Sequence, residues 1–354
     1  MQNCKLKMDN ERGASASRTT PIIFNFPFSI YHSSVPPTLS LIIPTHKRAD
    51  ILRECLKRIA AQTVKDQIEV IVVSDGQDDD TDRLFDGHTQ YAIRHTQYFS
   101  IPKSQQGVAR NRGVEKATGE IVMFIGDDIF LEPDACEVHL KVHENMQNEK
   151  FEMQNDGSDS RTRTGDGISN FSFPILHSGS AVLGYTEWDP SMEITPVMEW
   201  LDRTGWQFGY GFLKPYEHRA IPKRMQHRFT YTSHISLPRE IALKFPFRED
   251  VTMYGWEDIE WGWRLAQENI PLLYEPDAKA FHHHRMTPED SLKRMETLGK
   301  SAALFESINH DLHLMPKGMK RMAYRFFSLF PTMKGRHARA FLRGIHTAEA
   351  PLSS

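Results

Sequence analysis

The first 38 residues are rich in Ser, Thr, Pro and Asn, show no sustained apolar period, and are expected to form a disordered extension. Patterned sequence begins at Leu39-Ser-Leu-Ile-Ile-Pro44, a short apolar run closed by a proline, which predicts a strand. From Ile51 the apolar positions Leu52, Cys55, Leu56 and Ile59 recur at helical spacing, with Asp50 placed as an N-cap. Ile68 to Val73 is a second, β-branched strand that runs into Ser74-Asp75-Gly76. Strand, helix, strand at this spacing is a βαβ unit with a right-handed crossover, so Thr45 and Asp75 are expected side by side at one sheet edge.

The pattern continues with a third short strand near Tyr91–Tyr98 and a helix from Gln106 to Ala117 that packs through Val108, Ala109, Val114 and Ala117. Ile121 to Ile125 reads as a buried strand ending at Asp127 and Asp128. Beyond Pro133 the apolar positions are only loosely helical, and residues 148–178 are so polar that a mobile insertion is expected. Order resumes at Ala181-Val-Leu-Gly, with strands predicted at Phe229–Ile235 and Pro271–Tyr274 and a short helix opened by Pro238. Leu292, Met295 and Leu298 then mark a C-terminal helical stripe.

The chain has 354 residues, enough for one large domain or two small ones, and its net charge of −3 exerts no global pull toward nucleic acid. Cys4, Cys55 and Cys136 lack finger or CxxC spacing and fit a reduced, cytoplasmic chain. No apolar run approaches the roughly 18–20 residues of a membrane span. The N-terminus has none of the pattern of a signal peptide. One stretch departs from the mean. Between Asp311 and Glu349 there is no acid, while Lys317, Lys320, Arg321, Arg325, Lys334, Arg336, Arg339 and Arg343 alternate with Phe and Leu. Segment 312–346 therefore reads as a peripheral membrane contact or as a helix docked with its basic face in solvent, and no nucleic-acid motif accompanies it.

Candidate chemistry gathers at the ends of the predicted elements. Adjacent carboxylates at a strand's carboxyl end are placed for a divalent cation that holds a phosphorylated ligand; the plainer reading of Asp127-Asp128 is an acidic turn. The run Asp78–Asp82 lacks the Gly and Glu of a calcium loop and is expected to cap a short helix. The glycines at 107 and 113 form neither GxGxxG nor a P-loop, which argues against a dinucleotide dehydrogenase or a Walker-type ATPase. Arg110 in that helix is either solvated or turned to a nucleotide phosphate. His139 and His143 share a helix face without HExxH and are expected in solvent. Trp188, Trp200, Trp206, Phe208, Tyr210 and Phe212 are core residues or the wall of a ligand cleft, where aromatic rings stack on apolar C–H faces. Glu257 and Asp258 open a helix, where acids complement the dipole. In His282-His283-His284 the outer two share one face of an extended chain and His283 takes the other.

Five segments in order, Leu41-Ile-Ile-Pro-Thr, Gln62-Thr63 with Val70-Ile-Val-Val-Ser-Asp-Gly, Gly107-Val-Ala-Arg-Asn-Arg-Gly, Ala117-Thr-Gly-Glu and Phe124-Ile-Gly-Asp-Asp, resemble family 2 glycosyltransferases of the GT-A fold, with further matches near 254–284. That resemblance implies an α/β, Rossmann-like, mostly parallel sheet flanked by helices, a helical C-terminal extension, and an enzyme using a nucleotide-sugar donor with Mg²⁺ or Mn²⁺. The expected layout is an extension at 1–38, a GT-A domain at 39–285 carrying the insertion at 148–178, a basic helical region at 286–346 and a tail at 347–354. By the same resemblance Thr45, Asp75, Arg110 and Asp127 would bind the nucleotide sugar, with Asp75 accepting from the base. Asp128 would bind the metal with one of the three histidines, His283 being the expected one. Gly126 stands where the family often has a first acid. Asp258 would be the base of an inverting transfer, Glu257 its acceptor-binding neighbour or substitute, and Trp256 a wall beside the acceptor. A UDP-sugar is the expected donor and a saccharide or lipid-linked hydroxyl the expected acceptor. The alternatives are a non-catalytic nucleotide-sugar or carbohydrate-binding protein on the same fold, and a metal-dependent phosphotransferase or nucleotidyltransferase.

Overall fold

The computed structural model describes residues 37–86, 93, 95–155, 179–251 and 253–349. The extension expected at 1–38 lies outside them except for its last two residues, and so does the insertion from 156 onward; residues 148–155 continue a helix.

The predicted βαβ unit is present as β1 (Leu39–Thr45), α1 (Ala49–Ala60) and β2 (Ile68–Asp75). Asp50 sits inside the first turn of α1 rather than at its cap. The following α2 (Asp79–Phe85) is capped by Asp78, whose carboxylate accepts from Thr81, as the acidic run implied. The third strand falls later than expected, as β3 (His95–Ile101), before α3 (Gln106–Lys116) and β4 (Ile121–Ile125). β3, β2, β1 and β4 are parallel neighbours, with Thr45 opposite Ser74. Strands sealed on both faces need apolar side chains on both, and β1 and β2 are buried along their whole length. Leu39, Leu41 and Ile43 pack with Leu52, Leu56 and Ile59 of α1 on one side. Ile42 and Val73 meet α3 on the other. α3 lies so close there that a Cβ on Gly113 would collide with Ile42.

The second half of the sheet is mixed. β5 (Ile129–Leu131), α4 (Ala135–Asn155), β6 (Ala181–Trp188), α5 (Pro196–Thr204), β7 (Arg219–Ala220) and α6 (Lys223–Gln226) precede β8 (His234–Pro238) and α7 (Arg239–Lys244). α8 (Glu257–Gln267) and β9 (Leu272–His282) complete it, and the order is β3-β2-β1-β4-β8-β6-β9-β5, with β7 on β9. β5, β7 and β8 run against the other six strands. Two strand expectations shift. Residues 227–229 form a 3₁₀ turn, so the strand predicted at Phe229–Ile235 starts at His234. The strand predicted to stop at Tyr274 runs on to His282, because Pro276 falls at a bulge where the β6 pairing jumps from Glu275 to Lys279. That extension carries the histidine run to the sheet edge.

His139 and His143 are buried, not solvated. His139 Nδ1 and His143 Nε2 each lie 2.8 Å from Ser236 Oγ, and His139 Nε2 is 3.2 Å from His234. Burial holds all three imidazoles below their ordinary pKa, hence neutral. The C-terminal helices are α9 (Pro288–Ile308), α10 (Gly318–Ser328) and α11 (Met333–Glu349). α9 and α11 pack where Gly299 and Gly344 meet the partner backbone with no room for a Cβ. Among the described residues no helix is long and apolar enough to cross a membrane.

Candidate functional site

Three chain segments meet at the carboxyl ends of β1 and β4. β4 ends in a tight turn, Gly126-Asp127-Asp128, closed by Ile129 N–H donating to the Gly126 carbonyl. A Cβ on Gly126 would stand 2.7 Å from Asp128 Oδ1, so the missing side chain leaves that carboxylate room. The turn feeds β5, whose Ile129 pairs with His282 at the end of β9, and His283 N–H donates to the Asp128 carbonyl at 2.8 Å. This short ladder is what brings the acidic pair to the histidine run.

Both carboxylates are buried. Thr45 Oγ1 donates to Asp127 Oδ2 at 2.8 Å. Arg48, beyond a left-handed Lys47, spans both acids: NH1 lies 2.9 Å from Asp127 Oδ1 and NH2 2.8 Å from Asp128 Oδ2. Asp128 Oδ2 is also 3.3 Å from His282 Nε2 and 3.6 Å from His284 Nδ1. The electrostatic result is asymmetric. Burial and the charge on Asp128 push Asp127 above its ordinary pKa. For Asp128 burial also opposes ionisation, but His282, His284 and Arg48 outweigh it and hold the carboxyl well below the usual range.

Asp128, His282 and His284 can converge on one ion, since their donor atoms lie within 4.8 Å of one another. Two imidazole nitrogens and a carboxylate oxygen are a chemically sensible donor set for a divalent transition ion. His283 is not part of it. Its ring stacks on Phe130 and its Nδ1 lies 2.7 Å from Asp189 Oδ2. Of the three histidines, it is the neighbours of the expected ligand His283 that the structure brings to Asp128. His282 is sandwiched between Trp188 and His284, at ring distances of 5.0 and 5.4 Å.

A second acidic group sits at the start of α8. Asp258 Oδ1 accepts from Ile259 N–H and Glu257 Oε2 from Gly255 N–H, each at 2.8 Å. Burial, then the neighbouring Glu257, raise the Asp258 carboxyl to about 7. Arg110 is the facing cation: it is buried, lies over the Phe247 ring, and has Nε and NH1 without a hydrogen-bond partner. Desolvation lowers its pKa while Glu257 and Asp258 raise it. Gln106 links the two elements by donating to Glu257. Arg110 thus belongs to the α8 carboxylates, neither solvated nor beside Asp75. Asp75 at the end of β2 accepts from Lys103 Nζ at 2.7 Å and Ser104 N–H at 2.6 Å.

The aromatic residues divide. Trp188 and Phe208 reach the histidines, and Phe208 also touches Tyr231, which lies in the field of Asp258. Trp200 and Trp206 instead pack around His337 and Tyr324, while Phe212 is exposed. Trp256 donates its indole N–H to the Leu298 carbonyl and packs with the C-terminal helices. Arg48, Trp188 and Asp189 went unnoticed in the sequence or unassigned; a basic triplet, His46-Lys47-Arg48, in the loop after the first strand was the available signal for Arg48.

In open α/β sheets ligands bind outside the carboxyl ends of the strands, and these acids and histidines stand there. Residues 40–164 match the family model Glycosyl transferase family 2. It is 35% identical over 107 residues to the putative glycosyltransferase EpsH of Bacillus subtilis, covering 30% of each chain. It is 36% identical over 94 residues to the GalNAc(5)-diNAcBac-PP-undecaprenol beta-1,3-glucosyltransferase of Campylobacter jejuni, covering 26% of this chain and 30% of that one. The match thus spans about a third of the length of these relatives. Among solved structures, the mannosyltransferase PcManGT from Pyrobaculum calidifontis in complex with GDP-Man and Mn2+ superposes with a TM-score of 0.47 at 17% identity, covering 92% of this chain and 80% of that one.

Proposed function

We propose that the chain is a glycosyltransferase that moves a sugar from a nucleoside-diphosphate donor to a saccharide or lipid-linked hydroxyl, with inversion at the anomeric carbon. The observation that carries this reading is the convergence of Asp128, His282 and His284 at the strand ends of a family 2 domain. These three residues would hold a divalent cation, and the two imidazoles suit Mn²⁺ better than the oxygen-seeking Mg²⁺. Bound there, the ion supplies positive charge against a leaving diphosphate.

The chain's own residues then divide the work. Asp127, fixed by Thr45, faces the ribose, and Asp75 accepts from the base. Arg110 offers two unpartnered N–H groups to a donor phosphate or acceptor oxygen. Asp258 takes the acceptor proton as the hydroxyl oxygen bonds to the anomeric carbon and the diphosphate departs with the electrons of the broken C–O bond. Glu257 holds the acceptor beside it. His283 acts at a distance, fixing the β9 end through Asp189. A UDP-sugar remains the donor favoured by family likeness.

One observation favours a second reading, a nucleotide-sugar-binding protein without transfer activity: Arg48 already neutralises the acid pair that an ion would need. Hydrolysis of a panel of nucleotide sugars, with Mn²⁺ and with EDTA, tests both. EDTA-sensitive release of one nucleoside diphosphate supports the enzyme and names its donor. Tight nucleotide binding with no release, even after adding saccharide and lipid-linked acceptors, would move the weight to the binding protein.

A further inference from the structure

α11 is buried against α9, but α10 is not comparably covered. No residue of α10 is buried, and it is held from beneath, where Tyr324 meets Phe341 and Trp206, and at its end, where Arg339 donates to the Ser328 carbonyl and Lys334 lies over the Phe327 ring. Its outer face is apolar. Met319, Met322, Phe326, Leu329 and Phe330 are 43–86% exposed, and they make up five of the eight exposed large hydrophobic residues among those described. At 3.6 residues per turn Met319, Met322 and Phe326 fall within about 60° of arc, and beyond the helix end the Phe330 ring packs on Phe326 at 5.1 Å, so the stripe continues. Exposed apolar side chains are ordinary when scattered; a contiguous row marks a contact surface.

The charge beside the stripe says what that contact is. Arg321 and Arg325 follow its edge one turn apart, Lys317 and Lys320 lie at the start of the helix, and Arg228 of the domain lies in the electrostatic field of Lys320. No acid occurs from residue 312 to 348. Lys317 is paired with Glu306, whose charge also reaches Lys320, so the basic flank is carried chiefly by Arg321 and Arg325, and a partner offering only a matching apolar groove would make no use of it. A bilayer with anionic headgroups satisfies both features at once: the stripe enters the headgroup boundary and the cations remain at the phosphates.

We propose that α10 is a monotopic docking helix for anionic lipid surfaces, seating the domain on a membrane without crossing it. The inference does not depend on sugar transfer, because vesicle binding is read without turnover.

Co-sedimentation of the full chain with phosphatidylcholine vesicles, with and without phosphatidylglycerol, tests it. The expected result is binding to the phosphatidylglycerol vesicles alone, weakened by high salt through screening. Met322→Glu with Phe326→Glu should lower partitioning by at least about tenfold, since both apolar contacts become charges. Leu243→Glu, at an exposed site on α7, should leave it unchanged. Lys320→Glu with Arg325→Glu should abolish the preference for anionic vesicles while the melting temperature stays that of the native chain. Equal binding to neutral vesicles, retention by the Met322/Phe326 variant, or no binding at all would overturn the proposal. So would a concentration-dependent dimer that this variant dissolves in the absence of vesicle binding, which would assign the stripe to a second copy of the chain.

Discussion

At the strand ends, two buried aspartates share the Arg48 guanidinium, and Asp128 also meets the rings of His282 and His284; at the start of α8, Glu257 and Asp258 face a single guanidinium, that of Arg110. The first arrangement keeps Asp128 ionised, as a metal ligand must be. The second leaves burial and like-charge repulsion in command, so Asp258 stays protonated up to about pH 7. Asp128 and Asp258 are thus pushed in opposite directions, and environments that separate pKa values in this way separate roles. Under the proposed function Asp128 would bind charge and Asp258 would move a proton.

The strongest break of that contrast is Asp128→Ala. It removes the one donor common to the histidines and Arg48, and should abolish Mn²⁺ binding by calorimetry and lower transfer by at least about 10³-fold. Mn²⁺ binding that survived would take Asp128 out of the ion site. Asp258→Asn should act on the other side only, keeping donor affinity within about twofold while transfer falls about 10²- to 10⁴-fold. Transfer at the native rate would remove Asp258 as base. The native pH profile follows from the same assignment. A base must be deprotonated to act, so kcat/KM should rise with pH up to and through about 7 and fall off on the acid side.

Substitutions among the histidines sharpen the comparison. His284→Ala should weaken Mn²⁺ affinity by about tenfold or more, because a ligand is lost outright. His283→Ala should change it by less than about threefold, while removing the hydrogen bond to Asp189 at a cost of about 1–2 kcal/mol in unfolding free energy. Calorimetric titrations of Mn²⁺ into both variants, alongside urea melts, give the two readouts. The reverse pattern would restore His283 as ligand.

What the sequence revealed and what it concealed divide along contact range. The βαβ unit is local, so the adjacency of Thr45 and the β2 terminus could be read from spacing, and so could Asp127-Asp128 at a strand end. Period-two alternation likewise put His282 and His284 on one face. Which face meets Asp128 depends on the pairing of Ile129 with His282, some 150 residues apart, and no local pattern encodes that register. Distance hid His139 and His143 for the same reason: Ser236, which satisfies their rings, lies more than ninety residues away, so two histidines on one helix face looked solvated. Arg110 was concealed by type, since an arginine in a helix is ordinarily exposed, and only the α8 carboxylates and Phe247 make its burial tolerable.

The smallest effect is the most diagnostic of how the two acid pairs differ. Arg110 is the stronger of two cations that favour the ionised form of Asp258, ahead of Arg294. Arg110→Gln keeps a hydrogen-bonding side chain but deletes the charge, so Asp258 should become harder to ionise and the acid limb of kcat/KM should move to higher pH, by about 0.5–1 unit. Donor KM should rise in the same variant if the unpartnered guanidinium nitrogens meet a phosphate, whereas Mn²⁺ affinity in the absence of nucleotide should not move, because the contacts of Asp128 are with Arg48, His282 and His284. A limb that stayed in place would mean that Asp258 does not set it, and a limb that moved together with Mn²⁺ affinity would mean that the two carboxylate pairs form one electrostatic unit.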